Sequence, residues 1–380
     1  MVRCSRKGWN VVVFVIGLAM LPPAGATETR EIMHKVYTAI AYLLPLSVRG
    51  GDQASGWDKE LIDQNLQALA DASATLVKHA KGKDAEFRFL ARSFDDTVKD
   101  IDKSFREQWP AFAYYSLMEL TQHCVACHSR LPSQAQTEFG QRLMARMDTA
   151  QFEPLELAQL FVATRQFDAA MSTYEKKLMN PQEAAIDLDY GGVLLQYLDL
   201  AIAVEGDLAR PREVLQRFAA RPDSPLYLRR RIALWMDAMQ KLAPKLKSAP
   251  QLADARELFR TADGMTRAPN GRERAVHDLV AASILHRYID EHPERTGADI
   301  AEAYYMLGVI TLRTMEPKYS VPEMELLFAA AVRAAPKGPF AEESYALLEE
   351  YGYVHDVHLA AAGDKNLFID MKGLRAMMAQ

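Results

Sequence analysis

Between residues 29 and 148 the apolar side chains return every three to four residues, the period of an amphipathic helix. The first stripe is Met33, Tyr37, Ile40 and Leu44, which predicts a helix over about 31–44, ended by Pro45 and the Gly50-Gly51 pair. Ile62, Leu66, Leu69, Leu76 and Val77 make the second stripe, with Asp58 as its expected N-cap. Phe87, Leu90, Phe94, Val98, Ile101 and Phe105 make the third, after a short break at Gly82 and Asp84. Trp109-Pro110 then starts a fourth helix, whose stripe is Ala113, Leu117, Leu120, Cys124 and Cys127. Four amphipathic helices on short links predict an antiparallel bundle.

From about residue 150 the pattern becomes one of helix pairs. Leu157-Ala158, Leu160-Phe161, Phe167, Ala170, Tyr174, Leu178 and Pro181 follow the order and spacing of a tetratricopeptide unit, with Ala158 at the small-residue position. A second copy spans 303–336, with Tyr304, Leu307-Gly308, Phe328, Ala331 and Pro336 and an expected long inter-helix turn over 316–322. Residues 187–222 and 225–258 read as degenerate pairs, and 340–352 as the start of a further repeat or a cap. This region resembles the tetratricopeptide-like α-solenoids, whose stacked repeats bind extended segments or other proteins. The expected fold is therefore all-α, a four-helix bundle followed by a tetratricopeptide-like α-solenoid.

Two of the three cysteines sit in Cys124-Val125-Ala126-Cys127-His128, a CxxCH. That spacing is the c-type haem attachment signature. Two thiols three residues apart each add to one vinyl group of a single porphyrin, and the adjacent imidazole lies under the iron as proximal ligand. A zinc site built from His123, Cys124, Cys127 and His128 would have to wrap four ligands from one short helical stretch around a tetrahedral ion. A thioredoxin-type dithiol expects a βαβ pattern, and none is visible. One covalently attached haem c is the expectation, with Cys124, Cys127 and His128 as its residues.

A haem motif on the last helix of a four-helix bundle resembles the cytochrome c′ family, over about the first third of the chain. That resemblance implies thioether links at Cys124 and Cys127 and His128 as proximal iron ligand. It also implies a distal face built by the first helix, where Met33 and His34 are the candidate distal ligands. The family usually carries a basic residue a few positions after the histidine. Here Arg130 comes sooner, and Leu131-Pro132 ends the helix early.

The beginning of the chain agrees with that chemistry. Arg3, Arg6 and Lys7, an apolar core from Val11 to Leu21, and Ala24-Gly25-Ala26 read as a signal peptide over residues 1–26, cleaved near Ala26-Thr27. Its apolar core is too short for a bilayer anchor. Cys4 would leave with the signal, so the mature protein would have no structural disulfide. Haem attachment to CxxCH follows export in bacteria, so the expected location is the periplasm. The expected domains are then 27–149 for the bundle and 150–380 for the repeats.

Removal of residues 1–26 takes three basic side chains and no acidic one, leaving 42 basic against 50 acidic and a net charge of −8. Nucleic acid and anionic membrane would be repelled. No later stretch is apolar and long enough to span a bilayer. The expected partner is a redox protein or complex reached through residues 150–360. Small gases such as NO or CO are the alternative ligand if the distal site is open, and a scaffold with a structural haem is the third reading. Neither a phosphate loop nor a distal acid-base pair is visible, so catalysis is not expected. His79 reads as a solvated cation at a helix C-terminus, Arg229-Arg230-Arg231 as a solvated face or an acidic-partner contact, and His355, Asp356 and His358 as a polar helix end or a weak metal site.

Overall fold

The structure is a computed structural model that describes residues 24–48, 58–81, 85–106, 117, 120, 140–141, 144–145, 147, 149–265, 272–292, 294–314, 317–361 and 371–379. The described residues are all-α, with no strand among them. Three N-terminal helices, α1 (Ala24–Val48), α2 (Lys59–Ala80) and α3 (Ala85–Arg106), pack in sequence order, α1 on α2 and α2 on α3. Each forms where its stripe predicts. Asp58 caps α2, its carboxylate accepting from the Leu61 N–H at 3.1 Å. Ile62, Leu66, Leu69 and Leu76 are buried along α2, and Leu90, Phe94, Val98 and Ile101 along α3. Helix α1 runs on through Pro45 to Val48. A proline in the last turn removes one backbone donor and need not stop the helix sooner.

Leu117 and Leu120, both helical, are buried in the same core as these three helices. That core does not end at residue 149. Phe152, Leu160 and Ala163 belong to it, with Leu157 and Phe161 packed against it. The Tyr37 hydroxyl of α1 donates to the Ala163 carbonyl at 3.0 Å, so α1 is sewn to the helix that ends at Ala163.

That helix is α4 (Pro154–Ala163), followed by α5 (Phe167–Leu178). A capping box starts α4: Glu156 reaches back to the Glu153 N–H at 3.0 Å, and Pro154 stands in its first turn. The tetratricopeptide positions Ala158, Phe167, Ala170, Tyr174 and Leu178 are all buried, and Pro181 is exposed. Next come α6 (Ala185–Tyr190), α7 (Val193–Asp199) with a π-helical turn over Leu200–Val204, α8 (Ala209–Ala219), α9 (Leu226–Lys247), α10 (Leu252–Gly264) and α11 (Ala275–Asp290). The chain closes with α12 (Ala298–Thr314), α13 (Pro317–Ala334), α14 (Pro339–Ala361) and α15 (Met371–Ala379).

From α4 onward the hairpins include α4 with α5, α8 with α9, α10 with α11, and α12 with α13. This differs from the pairs expected over 187–222 and 225–258. Pro222 and Pro225 punctuate the turn inside one hairpin, whereas the turn between hairpins lies at 248–251. Helical period cannot tell these two kinds of turn apart. Helix α13 begins at Pro317, so most of the segment expected as a long turn is helical. Gly308 is placed by close approach. A Cβ there would meet the Phe328 ring at 2.6 Å, and Phe328 is fully buried and has no room to yield. Helix α14 packs on α12 and α13, and α15 packs on α13 and α14, covering that end of the array. Helix α13 also lies against α3 of the N-terminal core.

Candidate functional site

The haem motif itself, Cys124, Cys127 and His128, together with His123 and Arg130, lies outside the described residues. What is described is the approach to it. Leu117 and Leu120 are 4% and 1% exposed, seven and four residues before Cys124. The intervals 117, 120, 124 and 127 are three, four and three residues, the helical spacing on which the sequence expectation for the two thiols rests, and residues 121–139 lie outside the described residues.

The two distal candidates are adjacent on α1, so about 100° separates them around the axis. Met33 is half-buried and packs against the N-terminal core. His34 is exposed, with its Nδ1 3.2 Å from the Thr38 hydroxyl, which donates to the His34 carbonyl at 2.8 Å. Met33 is the one turned inward.

His79 is not the solvated cation expected from sequence. Its side chain is 6% exposed, with Nδ1 3.1 Å from the Glu28 carboxylate and Nε2 2.7 Å from the Thr29 hydroxyl. It ties the end of α2 to the start of α1 and stands edge-on to Phe87. A second polar tie links α2 and α3. The Ser73 hydroxyl donates to Asp95 at 2.6 Å, and Lys99 meets the other carboxylate oxygen at 2.6 Å. Hydrogen bonding to Asp95 holds the Lys99 ammonium above its ordinary range.

On α9 the arginine run divides. Arg229 and Arg230 are exposed, but Arg231 is buried and grips Asp189. Its Nη1 lies 2.8 and 2.9 Å from the two carboxylate oxygens. Asp189 also accepts from Tyr227 at 3.1 Å and from Arg272 at 3.2 Å. Burial and the Asp189 charge push the Tyr227 phenol up to about 12. The Trp235 indole donates to the Arg272 carbonyl at 2.8 Å, fastening the network to the fully buried ring. A run of three arginines is the only trace of this in the sequence, because Asp189 is 42 residues away from Arg231.

Asp278 on α11 is fully buried, facing Arg274 and Arg313, each at 3.5 Å, with Asp263 nearby on the same Arg313. Neither arginine is close enough to make a strong hydrogen bond. Burial therefore raises its carboxyl to about 6, against the pull of the two guanidinium groups. The folded protein holds this proton more tightly than the unfolded chain does. The stability it contributes is whole below about pH 4 and lost as pH rises through about 6, some 3 kcal/mol in all. Asp278→Asn should thus gain on the wild type between pH 4.5 and 7.5, read as a melting-temperature difference that grows with pH. A pH-independent difference would contradict this assignment.

Among the described residues no group of three or more His, Cys, Asp or Glu side chains converges on a metal position. His355, Asp356 and His358 lie on α14, where side chains are outside the described residues. The shallow depression beside Ala253, Arg256, Glu257, Arg260 and Thr261 is one face of α10, and Arg256 there is occupied by Glu302 through two 2.6 Å contacts. No described helix is long and apolar enough to cross a membrane. Comparison with protein-family models, with curated proteins and with solved structures finds no match to this chain.

Proposed function

We propose that the chain is an exported c-type cytochrome with one haem, an electron carrier whose helical repeats dock it to a redox protein or complex in the periplasm. The observation that carries the reading is the CxxCH at Cys124–His128 continuing the spacing of Leu117 and Leu120, two buried residues of the N-terminal core. In this reading α1, α2, α3 and the helix bearing the motif make a cytochrome c′-like four-helix bundle. Cys124 and Cys127 hold the porphyrin, and His128 is the proximal ligand. The haem supplies an iron that exchanges one electron. Met33, turned inward on α1, is the favoured distal ligand over the exposed His34. Residues 150–360 form the tetratricopeptide-like array that faces the partner.

Absorption spectra of the exported protein, ferric and ferrous, with and without CO, test this reading. The expected result is a six-coordinate low-spin haem indifferent to CO, converted to a CO-binding one by Met33→Ala and unaltered by His34→Ala. A wild-type haem that binds CO would transfer the protein to the gas-binding reading, with an apolar distal face. A protein without haem would overturn both.

A further inference from the structure

Seven large hydrophobic side chains are exposed among the described residues, and five of them stand on two neighbouring helices. Ile186 and Tyr190, 42% and 54% exposed, are one turn apart on α6. Leu226, Tyr227 and Leu234, at 61%, 37% and 45%, lie on α9. With Arg230 they occupy an arc of about 100° opposite the buried Leu228, Ile232, Trp235 and Met239. The bond from Tyr227 to Asp189 joins the two helices beside Tyr190, so the two exposed sets stand on adjoining helices. Clustered apolar exposure of this kind marks an interaction site more often than scattered exposure does.

The charge of this surface identifies what fits it. Arg230 is exposed, with no ion pair among the described residues, and the exposed Arg229 uses only its Nε, on the Ser224 carbonyl at 2.7 Å. The neighbouring carboxylates are already engaged. Asp189 is 1% exposed beneath Arg231 and Arg272, Asp223 is bound by Arg221, and Asp237 by Lys241 at 2.6 Å. Asp187, Asp223 and Asp237 are exposed there, the last two in ion pairs with Arg221 and Lys241. Arg229 and Arg230 thus stand beside these apolar side chains with no ion pair among the described residues, on a chain whose formal charge is −5.

We propose that this face of α6 and α9 is the docking site for an acidic amphipathic helix of a partner protein. Its leucine-like side chains would lie against Leu226, Leu234, Tyr190 and Ile186, and its carboxylates beside Arg229 and Arg230. The proposal rests on the reading that the repeats dock a partner and is independent of the haem, whose spectrum tests the other half of that reading. Two labelled 15-residue helical peptides probe it on the full chain by fluorescence anisotropy. Both carry leucines at i, i+4 and i+8, one with glutamates on its flanks and the other with lysines there. The glutamate peptide should bind and the lysine peptide should not. Leu234→Asp and Leu226→Ser should each weaken binding about tenfold or more, and Arg230→Glu should exchange the preference between the peptides. All three positions are exposed, so folding is expected to survive, as circular dichroism would show. Equal binding of both peptides, binding of neither, or binding indifferent to the three substitutions would overturn the proposal. So would self-association of the wild type that Leu234→Asp abolishes, which would assign the face to a second copy of the chain.

Discussion

Replacing Asp189 with Ala should cost about 3–5 kcal/mol, because it leaves Arg231 buried without a counter-charge. The carboxylate is 1% exposed and receives both close contacts of the Arg231 guanidinium, whose own side chain is 8% exposed. It also holds Tyr227 and Arg272, so one substitution loosens α6, α9 and the turn at Arg272–Arg274 together. Urea midpoints would measure the loss. Adding Arg231→Met to the same chain should restore much of it, since the expense lies in the uncompensated charge and not in the absent pair. A loss below about 1 kcal/mol, or no recovery in the double variant, would show that water reaches the arginine.

A chain cut at residue 149 should be markedly less stable than one cut at residue 180. The shorter fragment, 27–149, removes Phe152, Leu160 and Ala163 from the N-terminal core and takes away the acceptor of the Tyr37 hydroxyl. Burial of a phenylalanine or leucine side chain is worth roughly 1.5–3 kcal/mol each, a large share of a small domain's stability. The fragment 27–180 keeps these groups, though it bares the face of α5 that packs on α7. Thermal melts by circular dichroism should rank the longer fragment well above the shorter. Equal melting temperatures would mean that the N-terminal core closes without α4. The same contacts hold the N-terminal core directly on α4.

The helices themselves were legible because their stripes are regular. Asp58 before Ile62, and Pro154 with Glu153 and Glu156, mark two starts that need no tertiary information. Gly308 and Ala158 were legible as small positions, and the structure adds the Phe328 ring as the reason for the glycine. The pairing of helices was not legible, since Pro222, Pro225 and Pro250 punctuate turns of different rank alike. Nor were the long-range polar contacts. His79 meets Glu28 and Thr29 across about fifty residues, and Arg231 finds Asp189 across 42. Nothing near either residue in the sequence records these partners. Of the candidate site, the motif was legible from chemistry alone, whereas the inward turn of Met33 relative to His34 needed the packing of α1.

The central claim is that Cys124 and Cys127 carry a covalent haem. The most direct measurement is the intact mass of the exported protein after denaturation, with haem staining of the same band on a denaturing gel. The account predicts a mature chain beginning at Thr27, heavier by one haem, that stains. It also predicts that the variant with Cys124→Ser and Cys127→Ser carries no such mass and no stain. An exported wild-type protein of bare polypeptide mass would contradict it.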